Sequence, residues 1–249
     1  MDPRGVFFDL YGTLLIFGDL RRAWDGWFDV LHRHLGAMGL DATRSDLARQ
    51  CDGFFARPEP SGHDDGLTIF ERRFQDFCLE LGLAPEPRAL HELADAAVRA
   101  WQEHVHPDPE AESVLAALGA RHRLALITNF DHPRHVHGLL ADWGIRDYFD
   151  TVVVSGDVGL SKPHPRIFEI ALEETGLLAE EAIHVGDSVE DVNGARQAGL
   201  VPVLIQRPRP GGEPILLDYS IGRGTEAPAP SFGQVVTVPS LGALLELLD

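Results

Sequence analysis

The chain opens on a short unbroken apolar run, Val6, Phe7 and Phe8, which gives way at once to Asp9, Leu10, Tyr11, Gly12 and Thr13. A continuous apolar run of this length, ended by polar and glycine residues, predicts a strand buried on both faces of a parallel sheet, followed by a tight loop. Runs of the same character lie at 124–127, 152–154, 182–185 and 201–205, with a late strand predicted at 235–238. Segments 112–118, 167–174 and 189–198 between them carry helical patterns. Strands alternating with helices predict an α/β fold, a Rossmann-like parallel sheet with helices on both faces.

Residues 18–103 break that alternation. They hold no strand pattern, but Trp24, Trp27, Phe28, Leu31 and Leu35, then Phe70, Phe74, Phe77 and Leu81, recur at helical spacing. Breakers at Pro58, Pro60, Gly62, Pro85 and Pro87 divide the stretch into four expected helices. The expected organisation is therefore a core formed by 1–17 and 104–249, carrying an inserted all-helical domain at 18–103. The aromatic residues of the insert read as its core. Residues 207–234, rich in Pro and Gly, read as a long surface loop before the last strand.

Composition narrows the partners. Asp and Glu outnumber Lys and Arg by 39 to 21, and the net charge of -18 repels a phosphodiester backbone, so no nucleic acid partner is expected. No apolar stretch approaches the ~20 residues that span a bilayer, and no membrane partner is expected. The acidic Asp2 and a first apolar run that leads straight into the Asp9 strand do not fit a signal peptide. The two cysteines, Cys51 and Cys78, sit in amphipathic helical patterns and read as buried thiols in a reducing compartment. A cytoplasmic protein, monomer or homodimer, is expected.

Four segments place polar chemistry directly after apolar strands, where an open parallel sheet forms its binding crevice. In FFDLYGTLL, Asp9 ends a strand, Gly12 lets the backbone fold back, and the Thr13 hydroxyl can hold a carboxylate in attack position. In LALITNF, Thr128 and Asn129 offer a hydroxyl and an amide to an oxyanion. In LSKPHPRIF, a turn presents Lys162, and Pro163 is expected to start the next helix. In IHVGDSVEDVNGARQAG, Asp187 ends a strand and Asp191 follows one helical turn later, so both can face one point. The histidines of DHPRHVH (132, 135 and 137) lack an acidic or cysteine partner at ligand spacing and read as part of a solvated helix, and His164 and His184 read as structural.

Taken in this order, the four segments resemble the four motifs of the haloacid dehalogenase (HAD) superfamily, from Asp9 to Gly199, and the helical insert resembles the cap that many members carry after the first motif. The resemblance implies a hydrolase in which Asp9 is the nucleophile and forms a covalent aspartyl intermediate. It implies that Thr128 and Lys162 hold the transferred group, and that Asp9, the Tyr11 main chain, Asp187 and Asp191 hold Mg2+. The implied substrate is a small anionic molecule chosen by the cap.

One position separates two chemistries. Most phosphatases of the superfamily place a second aspartate two residues after the nucleophile, as acid and base; here Tyr11 stands there. A phenol with a pKa near ~10 is no ready base at neutral pH. The DxYGT pattern is similar to that of the 2-haloacid dehalogenases, whose halide leaves unprotonated. The acidic pair in GDSVEDV points the other way, toward metal-dependent members. Three carboxylates against one lysine sum to about minus two, a balance that a divalent cation restores. A magnesium-dependent phosphatase is the leading expectation; a dehalogenase, or a weakly active binding or regulatory member, is the alternative.

Overall fold

The computed structural model describes residues 2–60, 66–207 and 232–249. Along the chain run β1 (Gly5–Phe8), β2 (Leu15–Phe17), α1 (Leu20–Ala37), α2 (Arg44–Gln50), α3 (Ile69–Glu80), α4 (Pro87–Gln102) and β3 (Val105–Pro107). There follow α5 (Ala111–Gly119), β4 (Arg123–Thr128), α6 (Pro133–Asp142), β5 (Thr151–Val154), α7 (Ser155–Val158), α8 (Pro165–Thr175) and β6 (Ala182–Gly186). The chain closes with α9 (Val189–Gln197), β7 (Val201–Ile205), β8 (Val236–Val238) and α10 (Leu241–Leu248). These residues form two compact units, one of 2–17, 106–207 and 232–249, the other of 18–60 and 66–105.

The first unit is built on a six-stranded sheet in the order β5-β4-β1-β6-β7-β8, parallel throughout. Its strands are those the apolar runs predict. Successive side chains of a strand point to opposite faces, and Phe7 and Phe8 of β1 are both fully buried, so both faces are covered. On one face, Phe7, Ala125, Ile127 and Val153 pack with Ile167, Phe168, Ala171 and Leu172 of α8 and Ala195 of α9. The central place of β1, flanked by β4 and β6, brings the loops after three strands into one crevice. The short strands β2 and β3, which pair in a separate two-stranded sheet, are three residues each and too brief to leave a periodic signal.

The second unit is helical, with α1 to α4 where four helices are expected. Trp27, Leu31 and Leu35 of α1 are buried at helical spacing, and Trp27 meets the rings of Phe54 and Phe74 at centroid distances of 5.6 and 6.0 Å. Thr68 and Glu71 form a capping box that starts α3, and the fully buried Glu71 carboxylate also bonds His91 Nδ1 at 2.6 Å. Cys78 lies within α3, whereas Cys51 caps the end of α2 rather than lying inside it; burial raises the thiol pKa values to about 11 and about 12. Among the described residues, no helix is long and apolar enough to cross a membrane. The stretch 208–231 of the expected surface loop lies outside the described residues.

Candidate active site

Asp9 follows β1 directly, and its N–H still donates to the Val185 carbonyl of β6 at 2.9 Å. The chain then turns tightly: the Leu14 and Leu15 N–H groups both donate to the Leu10 carbonyl at 2.9 Å, and Gly12 N–H donates to the Leu15 carbonyl at 2.8 Å. Gly12 has φ +91°, and a Cβ there would lie 2.1 Å from Asp187 Oδ2, so both conformation and space demand glycine. The turn leaves the Thr13 hydroxyl donating to Asp9 Oδ2 at 3.3 Å. The Tyr11 ring stacks on Phe130, with centroids 5.0 Å apart and planes 16° from parallel, and Phe130 stacks in turn on His135.

Lys162 is the hub. Its buried ammonium donates to Asp9 Oδ1 and to Asp191 Oδ1, each at 2.6 Å. Asn129, expected to bind an oxyanion, bonds the backbone of this lysine: its Oδ1 accepts from Lys162 N–H at 2.8 Å and its Nδ2 donates to the Lys162 carbonyl at 3.0 Å. A side-chain amide matches a peptide group donor for acceptor, which favours this reciprocal pair. Thr128 closes β4 and is buried. Helix α8 begins at Pro165, not after Pro163, with His164 Nδ1 accepting from Arg166 N–H at 3.1 Å. The reason is local: a residue before proline is kept from the helical region, so His164 cannot belong to a helix that Pro163 starts.

Asp191 is the most heavily bonded of the acids. Oδ1 accepts from Lys162 and from His184 Nε2 at 2.9 Å, and Oδ2 accepts from Ser188 N–H at 3.1 Å and the Ser188 hydroxyl at 2.6 Å. His184, read from the sequence as merely structural, thus braces the site from within β6. The histidines of 132–137 do not gather into a ligand set: His137 pairs with Asp157 at 2.8 Å, and His132 precedes α6. Asp9, Asp187 and Asp191 do converge, with one ligand atom from each lying within 4.8 Å of the others. Among the described residues, this is the group of three or more His, Cys, Asp or Glu side chains placed to hold a metal ion.

Charge is unevenly shared across that cluster. Burial alone would raise the Asp191 pKa, but Lys162 and the His184 bond outweigh it and hold the carboxyl well below its usual range. Burial likewise opposes charge on Lys162, and Asp191 and Asp9 overcome it, raising the ammonium pKa. Burial lowers the His184 pKa, against the pull of Asp191, and favours a neutral ring. Burial pushes Asp9 up to about 6 despite Lys162. Asp187 is pushed up to about 8, by burial first and then by the charges of Asp9 and Asp191. Two carboxyls therefore sit together without enough positive charge, the Asp187 carboxylate resting where a side chain at position 12 would collide with it. That donor set, hard carboxylate oxygens in excess, fits a divalent cation.

Two further residues stand beside the site that sequence reasoning missed. Arg207 lies two positions past β7 and Asp108 one position past β3, and both bond to the loop between Asp9 and Leu15. A basic residue just beyond a strand end was the available signal for Arg207, hidden by the Pro- and Gly-rich stretch that it opens.

Residues 3–199 match the family model described as haloacid dehalogenase-like hydrolase. The phosphoserine phosphatase of Thermus thermophilus is 44% identical over 142 residues, covering 55% of this chain, and the chain spans 54% of that protein's length. The phosphoglycolate phosphatase of Yersinia pseudotuberculosis is 40% identical over 201 residues, covering 79% of this chain and 78% of its own. Among solved structures, a HAD phosphatase from Thermococcus onnurineus shares the fold with a TM-score of 0.64 at 22% identity, over 100% of this chain and 98% of that one. With the motifs in place on this sheet and the family model matching most of its length, the chain belongs to the haloacid dehalogenase-like hydrolases.

Proposed function

We propose that this hydrolase is a magnesium-dependent phosphatase of a small phosphorylated metabolite, with Asp9 as its nucleophile. The observation that carries the reading is the crowding of Asp9, Asp187 and Asp191 within 4.8 Å around a single ammonium, Lys162. Such a site is short of positive charge, and a cation paired with a phosphate restores the balance where a haloacid carboxylate alone adds to the repulsion. The names of the relatives, phosphoserine and phosphoglycolate phosphatase, support the same substrate class.

Asp9, Asp187 and the Tyr11 main-chain carbonyl would hold the metal directly, because the Asp191 oxygens are already engaged by four donors. Magnesium supplies neutralisation of phosphoryl charge when bound there. The protein's own part begins with Thr13 and Lys162, which fix one oxygen each of Asp9. Asp9 attacks phosphorus in line, the bond to the leaving oxygen breaks, and Lys162 balances the negative charge on the transferred group. Water then hydrolyses the aspartyl phosphate. Tyr11, its ring held on Phe130, offers no carboxyl to protonate the leaving oxygen, so acyl and aryl phosphates react faster than sugar phosphates.

Tyr11 is also the observation that favours a second reading, dehalogenation, in which no leaving-group acid is required. A paired assay separates the two: phosphate release from acetyl phosphate and halide release from 2-chloropropionate, each with magnesium or EDTA. Phosphate release that needs magnesium and disappears in Asp9→Asn is the expected result. Halide release indifferent to EDTA would overturn it.

A further inference from the structure

The loop that presents Asp9 is held only in part by its own bonds. Its turn depends on Gly12, which has no side chain, and the carbonyls of Gly12, Thr13 and Leu14 face away from the turn's internal bonds. All three are gripped from outside. Arg207 Nη1 donates to the Gly12 carbonyl at 2.5 Å, Arg207 Nη2 donates to the Thr13 carbonyl at 2.6 Å, and Asp108 N–H donates to the Leu14 carbonyl at 2.9 Å. The two gripping residues are themselves joined: Asp108 Oδ2 accepts from Arg207 Nε at 3.0 Å and from Nη2 at 2.6 Å. Asp108 is buried, and its Oδ1 takes the Glu110 N–H at 2.8 Å, ahead of α5.

A planar fork with fixed donors suits this task. It spans two successive carbonyls while a carboxylate holds its other edge, a geometry that a lysine, as a point charge, cannot copy. We infer that Arg207, seated by Asp108, is a positioning residue for the reaction: it fixes the Gly12–Thr13 backbone and so sets the Thr13 hydroxyl against Asp9. The inference rests on Asp9 being the attacking group, and is indifferent to whether phosphorus or carbon is attacked. It makes the end of β7, 195 positions away in sequence from the residue it grips, part of the catalytic apparatus.

The test uses the full chain with Arg207→Met, Arg207→Lys and Asp108→Asn. For Arg207→Met, kcat falls about 10- to 100-fold with KM little changed, the loss that misplacement of a reacting group produces. Arg207→Lys keeps the charge without the fork and recovers less than half of that loss on a logarithmic scale; Asp108→Asn falls between the two. Amide hydrogen exchange supplies a readout independent of activity. In Arg207→Met the Gly12, Leu14 and Leu15 amides exchange about tenfold faster or more, while those of β4 keep their protection. Wild-type exchange in the loop, equal acceleration across β4, or full kcat in Arg207→Lys would each overturn the inference. If the unaltered protein releases neither phosphate nor halide, the proposed chemistry fails by itself, and the exchange comparison alone decides what Arg207 holds.

Discussion

The two acids that follow β6 are four positions apart and live in opposite surroundings. Asp191 is buried with a donor for each lone-pair direction, from Lys162, His184 and twice from Ser188. Asp187 is half-buried against the bare Cα of Gly12, with two neighbouring carboxylates and a pKa pushed up to about 8. Buried charge is tolerated when the fold supplies its partners, and is otherwise held in readiness for a partner from outside. The braced acid belongs to the architecture that holds Lys162. The crowded one belongs to whatever the site binds.

Breaking the braced corner has the largest expected effect. Lys162→Met leaves Asp9 and Asp191 buried without their ammonium, and removing one partner of a buried pair costs about 3–5 kcal/mol of stability. Denaturant unfolding measures it, and a loss under 1 kcal/mol would mean that the corner is not held as described. Changing the crowded corner should act with the opposite sign. Asp187→Asn removes a carboxyl whose ionisation burial and its neighbours oppose, and should stabilise the metal-free protein by about 1–2 kcal/mol while weakening the stabilisation that added magnesium confers. Thermal melts with EDTA and with magnesium read both changes, and destabilisation in EDTA would show that Asp187 is satisfied by the protein alone.

A third effect is a drift with pH. Asp9 and Asp187 have folded pKa values raised to about 6 and about 8, above the usual carboxyl value near 4. Between those limits the folded chain keeps protons that the unfolded chain has released, so these two acids contribute less to metal-free stability as pH rises from about 4 to about 8, while the lowered His184 pKa acts the other way only below about 6.5. The melting temperature in EDTA should be lower at pH 8 than at pH 5, and magnesium should narrow the gap. A rise toward pH 8 in EDTA would contradict the direction of both shifts.

Much of this was legible in the sequence because burial on both faces of a strand leaves an unbroken apolar run. Val6–Phe8 and its counterparts announced the sheet, and Trp27, Leu31 and Leu35 announced the helical insert by their period. Asp187 and Asp191 were readable together because one helical turn separates them. What escaped depends on contacts between distant segments. Asn129 offers the same amide to an oxyanion or to a peptide group, and its pairing with the Lys162 backbone, 33 positions on, leaves no local pattern. His184 looked like one more buried strand residue, and nothing in its neighbours says that its ring meets Asp191. Arg207 was read as part of a loop, since no local pattern marks an arginine whose partners are backbone carbonyls.

Lys162 carries a consequence beyond its proposed role, because it is the only lysine in the sequence; the other 20 basic residues counted with it are arginines. The folded surface therefore presents no side-chain amine, and the one that exists is sealed between Asp9 and Asp191. Acylating reagents should pass over the native protein's side chains and label a single position once the site opens. The rate of that labelling is a clock for exposure of the corner between Asp9 and Asp191, built into the composition of the chain.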